Sequence, residues 1–181
     1  MKLVRLSTLM WLEVALLLGW SFLIVVFEIS FAVSLLREFC LFAAFVSALL
    51  LLPGFLSEHR QQALRIYAVF CVLLMGLRFV AISPVKPFMQ FQASLVNGTS
   101  KSEVQQRFVS YFPPNGWFRQ PVIDWGDGSP VTPYDNEPVL AGTPDQSIQY
   151  TLDPNDGAYN AEWLIVYLEK GRVVGTEYLG D

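Results

Sequence analysis

Oxygen donors are the densest chemistry this chain offers. Asp124, Asp127, Asp135 and Glu137 fall within one short stretch, and loop carboxylates are what a calcium ion requires. Their spacing is not that of an EF-hand loop, and Asp also serves turns by hydrogen-bonding nearby backbone. The expectation is a structural turn, with no metal assigned and a ligand- or calcium-sensing regulator kept as an alternative. His59 is the only histidine, and it lies in a short polar loop of the apolar half. Histidine triads and histidine-based zinc sites are thereby excluded from the C-terminal half. Cys40 and Cys71 lie inside apolar runs, where a thiol acts as a small buried hydrophobe. Paired carboxylates can hydrolyse glycosides, but only across a cleft, and nothing in the sequence forms one. The chain is therefore expected to be non-catalytic and to need no cofactor. What remains is a set of large aromatics bordering a Pro- and Gly-rich loop. Trp117, Phe118, Trp125 and Tyr134 form the candidate partner surface, because aromatic side chains dominate interface centres.

The elements that must position these residues divide the chain near Ile82. Hydrophobic residues make up 53% of its 181 residues and the mean hydropathy is +0.40, too apolar for an average soluble protein. The excess lies before residue 83. Up to Ile82 there are six Lys/Arg and four Asp/Glu; beyond it, six Lys/Arg face twelve Asp/Glu. The acidic balance of the C-terminal half argues against nucleic acid, whose phosphates need a basic face.

Three apolar runs near 9–27, 35–53 and 64–82 predict three transmembrane helices, each of about the 20 residues a bilayer core needs. Residues 1–84 then form a membrane anchor and 85–181 an α+β domain. Pro53-Gly54 reads as the stop of the second helix. Glu13 and Arg78, each about one turn inside a span, read as interfacial charges that snorkel to the headgroups. Glu28 falls near the outer end of the first span. Lys2, Arg5, Arg60 and Arg65 share one side of a three-span arrangement. The positive-inside rule makes that side cytoplasmic and puts the C-terminal domain outside. The expected localisation is the inner (plasma) membrane, multi-pass.

In the second half, Ser100 followed by Glu103 is a capping box. Val104, Phe108 and Tyr111 recur behind it at helical spacing, and Pro113-Pro114-Asn115-Gly116 ends the helix. Strands are predicted at 117–124, 147–152, 161–168 and 172–178, with turns at 125–130 and 153–157 and a loop over 132–144. A short helix followed by a small antiparallel sheet is an α+β domain.

The run Gly98-Thr99-Ser100-Lys101-Ser102-Glu103-Val104 and the late strand-turn sequence Leu164–Val174, with its Gly171-Arg172-Val173, resemble the SmpA/OmlA type of domain. The resemblance covers about Val96 to Leu179. It implies a helix and a small antiparallel sheet in an envelope protein that supports outer-membrane protein assembly. The chain departs from that type in having apolar runs instead of a lipidated cysteine, and Tyr111-Phe112-Pro113-Pro114 where Gly-x-Pro often follows the helix. The combined expectation is a membrane protein with an exposed protein-binding domain. Its partners are the lipid bilayer and other membrane or envelope proteins. The alternative is a structural subunit bound through its helices.

Overall fold

The structure is a computed structural model that describes residues 8–126, 140–152 and 161–180. The chain forms two compact units, Met1–Ser83 and Pro84–Asp181.

The first unit is helical: α1 (Thr8–Phe31), a 3-10 turn (Val33–Leu35), α2 (Arg37–Leu50), α3 (Leu52–Leu56) and α4 (Arg60–Leu77). It corrects the three-span expectation. Among the described residues one helix is long and apolar enough to cross a membrane, over Trp11–Phe31. The second apolar run is broken. α2 has 14 residues, roughly 21 Å at 1.5 Å per residue, against a hydrocarbon core of about 30 Å. Pro53 does not simply end that helix; it sits in the first turn of α3, where its missing N–H costs nothing. The third run is shortened from the front. α4 opens with Arg60, Gln61, Gln62 and Arg65, so its apolar part, Ile66–Leu77, covers roughly 18 Å. A three-span membrane fold is therefore not supported.

Inside this unit Leu17, Ile24, Ala43, Leu51, Phe70 and Leu74 form the buried core. α1 turns inward the stripe Glu13, Leu17, Trp20, Ile24, Glu28, spaced at the helical repeat. The outward residues are apolar as well. Phe22, Phe45, Val72 and Phe79 are all exposed.

The second unit opens with α5 (Val85–Ser94) and α6 (Lys101–Tyr111). The sheet follows: β1 (Val122–Trp125), β2 (Gln146–Leu152), β3 (Glu162–Glu169) and β4 (Arg172–Leu179). All neighbours pair antiparallel in the order β1-β2-β3-β4. Ser100 accepts from the Glu103 N–H while Glu103 accepts from the Ser100 N–H, completing the capping box that starts α6. Cross-strand register puts Tyr150, Leu164 and Tyr178 on one face of the sheet. There Phe91 and Phe108 pack on Tyr150, with ring centroids 5.1 and 5.0 Å away, and Phe88 meets Tyr178. Ile165, Tyr167 and Val174, covered by Leu140 and Leu179, form a second cluster. β3 is thus buried on both faces, which is why 161–168 reads as a continuous apolar run instead of an alternating one.

The β3–β4 hairpin turns through Lys170 (φ 50) and Gly171 (φ 73), the two positive-φ positions of a type I′ turn. Residues 98–101 run beside the start of β4. The Gly98 N–H donates to Val173 O at 2.7 Å and the Val173 N–H to Thr99 O at 2.8 Å, while Ser100 bridges Arg172. That pairing fixes the start of α6 against the sheet and occupies part of the outer edge of β4.

The β1 strand is shorter than predicted. Pairing begins only at Val122↔Thr151, because β2 ends at Leu152 and Pro121 carries no N–H for a ladder. Of the predicted turn at 125–130, Trp125 belongs to β1 and 127–130 lie outside the described residues, as do the turn at 153–157 and most of the 132–144 loop.

Candidate functional site

β1 is an edge strand, and edge strands present unpaired backbone groups to other chains. It pairs with β2 on one side, and among the described residues no backbone hydrogen bond occupies its other side. The candidate aromatics flank it. Trp117 lies in the connection from α6 and is 94% exposed. Phe118 beside it is half-buried. Trp125 ends β1, is 41% exposed, and lies opposite Ile148 on the helix-covered face. Lys101, the first residue of α6, places its Nζ 4.6 Å from the Trp125 ring centroid and donates to Gln146 Oε1 at 3.0 Å. This cation–π contact holds the indole across the rim without burying it. Val122, on the opposite face of the strand, is 61% exposed. Tyr134 lies outside the described residues.

The three described aromatics share the strand and the connection leading into it, but no ring contact joins them. The connection itself is anchored by the Gln120 side-chain amide, which donates to Phe112 O. Its approach geometry is set by α6, whose Arg107 donates to Ser94 O and ties it to the end of α5.

Of the carboxylates weighed for calcium, Asp124 is exposed on β1, while Asp127, Asp135 and Glu137 lie outside the described residues. No group of three His, Cys, Asp or Glu that could hold a metal occurs among the described residues. His59 lies 4.0 Å from exposed Glu58, just ahead of α4.

Three described groups of this unit are perturbed for structural reasons. Hydrogen bonds from Ser100 hold the Glu103 carboxyl below its ordinary value. Burial pushes the Tyr150 phenol up to about 12, and burial with a hydrogen bond to Glu162 raises Tyr178. On the far face of the sheet the Tyr167 hydroxyl donates to Glu177 Oε2 at 2.6 Å, both groups being buried.

Two carboxylates expected near the membrane interface, Glu13 and Glu28, are buried and matter more to the helical unit. Glu13 does not snorkel; it is 3% exposed and its Oε1 accepts from the Gly54 N–H at 2.6 Å. Glu28 is 1% exposed and accepts from both the N–H and the hydroxyl of Ser34, at 2.7 and 2.8 Å. Each satisfies backbone that a chain reversal leaves without a helical partner. Glu28 secures the turn after α1, where Ala32 takes a left-handed φ of 47, and Glu13 secures the start of α3. The inward stripe from Glu13 to Glu28 was the available signal.

No family model, curated protein or solved structure matches the chain.

Proposed function

We propose that the α+β unit is a non-catalytic protein-binding module. In this reading it takes an extended partner segment along the outer edge of β1. Main-chain hydrogen bonds supply affinity in strand addition and side-chain anchors supply selectivity. Trp117 and Trp125 are the anchors. The observation that carries the reading is the exposure of Trp117 beside an edge strand whose outer side pairs with no described residue: a tryptophan left 94% in solvent forfeits the burial that makes aromatics stabilising. The helical unit holds the module at a lipid bilayer through its apolar outer surface, with α1 as the crossing element. Confinement to that surface raises the effective concentration of the module near other membrane proteins. Lys2 and Arg5 precede α1, so the positive-inside rule puts the chain start in the cytoplasm and the module outside. The SmpA/OmlA resemblance makes an envelope-assembly protein the natural partner class.

Site-specific crosslinking in cells tests the binding surface. A photoreactive residue at position 117 or 125 of the full chain is expected to capture one discrete protein, and the same residue at exposed Val109 on α6 is expected not to. Equal capture at all three positions, or none, refutes the surface. Placement is tested by an impermeant thiol reagent on Val109→Cys, with Cys40 and Cys71 replaced by Ala. Labelling in intact cells is expected, and protection until lysis refutes the outward placement.

A further inference from the structure

Between α1 and α4 the helical unit keeps an apolar trough. Its first section, 360 Å³, is walled on α1 by Val14 and Leu17 and on α4 by Ile66 and Val69. A second section, 190 Å³, continues to Val25 on α1 and Leu77 on α4. Ser21, Phe70 and Leu73 line both sections, so the two form one channel. Its length from Val14 to Val25 is roughly 16 Å at 1.5 Å per residue. The Ser21 hydroxyl is already spent on Leu17 O at 2.8 Å, which leaves the walls apolar throughout. Among the described lining residues, charge appears at one end only. Arg65 lines the first section, is exposed, and is engaged by no ion pair among the described residues.

We propose that this trough seats one acyl chain of an anionic bilayer phospholipid, with its phosphate on Arg65. The proposal rests on the reading that the helical unit sits in a bilayer. Length and charge select the occupant. A hydrocarbon core of about 30 Å gives each leaflet about 15 Å of chain, which the trough matches; a crossing helix from a second copy would need twice that. The guanidinium fork engages phosphate oxygens bidentately.

Native mass spectrometry of the detergent-solubilised full chain tests this, with palmitoyl-oleoyl phosphatidylglycerol and the phosphatidylcholine of the same chains as probes. The expected result is a saturable one-to-one phosphatidylglycerol adduct, preferred about fivefold, the effect of one basic residue at an anionic surface. Arg65→Gln, at an exposed position, brings the two lipids to parity. Val69→Trp fills the trough and removes both adducts, with helicity and thermal unfolding checked for each variant. Unsaturable adducts, no headgroup preference, or a preference unchanged in Arg65→Gln overturns the proposal. A dimer that Val69→Trp abolishes assigns the trough to a second copy and overturns it as well. Flotation with phosphatidylcholine vesicles separates the two readings. A chain that fails to float refutes the bilayer reading, and one that floats without a phosphatidylglycerol adduct refutes the trough alone.

Discussion

Replacing Tyr150 by Phe should stabilise the α+β unit, against the usual direction of core substitutions. Tyr150 is fully buried between Phe91 and Phe108. Its hydroxyl is one of the buried polar atoms without a hydrogen-bond partner among the described residues. An unmade hydrogen bond on a buried donor carries its desolvation cost, about 1–3 kcal/mol. Tyr150→Phe removes that group and keeps the ring, so a gain of about 1 kcal/mol is expected near neutral pH. For a unit of this size that raises Tm by roughly 4–8 °C. A second consequence follows from ionisation. Burial lifts the phenol from 10.0 to about 12, so the folded state resists a charge that the unfolded chain accepts earlier. A raised pKa gives a contribution fully present below pH 10 and lost as pH climbs through about 12. The loss runs at about 1.4 kcal/mol per pH unit in that window. The Phe variant escapes this share of the alkaline loss while Tyr178 still contributes to both proteins, so the gap between them must widen with alkali. Thermal unfolding of the full chain by near-ultraviolet circular dichroism, at neutral pH and between the two pKa values, measures both effects. A Phe variant about 1 kcal/mol less stable at neutral pH would show that the hydroxyl holds a hydrogen bond after all. A gap that does not widen would show that the phenol ionises at its ordinary pKa.

Gly54→Ala should unfold the helical unit more readily. A Cβ there would lie 2.7 Å from Glu13 Oε2 and 3.0 Å from the Ala63 Cβ, an overpacking of about 1–3 kcal/mol. Loss of helicity in a detergent-denaturant titration of the full chain is the measurement, and an unchanged midpoint would contradict the Glu13–Gly54 packing. Ser100→Ala removes the N-cap of α6 and should cost about 1 kcal/mol in chemical denaturation; a neutral result would mean that the pairing of residues 98–101 with β4 alone holds the helix start. The Glu103 carboxyl, held low by Ser100, contributes stability that is present above its ordinary value and lost as pH falls through the lowered one. Ser100→Ala should move its titration, followed by carboxyl carbon chemical shifts, back toward 4.5.

Local chemistry was legible in the sequence and distant pairing was not. The capping box needs only Ser100 and Glu103, and the β3–β4 turn needs only Lys170-Gly171 between apolar strands, so four or five residues settle each. The aromatics of 117–125 could be singled out by type. Their exposure depended on where β2 ends and on what covers the other edge, which residues before 126 do not encode. In the apolar half, averaging hydropathy along a run gave three runs but hid the left-handed Ala32, the break at Leu51 and the polar opening of α4.

Glu13 shows the physical reason most directly. Considered alone, a carboxylate one turn inside an apolar helix has a headgroup within reach, so snorkelling is the natural expectation. What reverses it is Gly54, 41 residues further on, whose N–H has no helical partner in the first turn of α3. Only a residue without a Cβ lets the carboxylate approach that closely. The same logic holds at Glu28 and Ser34, where the acceptor and a chain reversal meet six residues apart. Each acidic residue sits at one end of the inward stripe of α1, and each satisfies the reversal at its own end of the unit. A helix whose buried face begins and ends in a carboxylate therefore announces two chain reversals packed against it, one at each end.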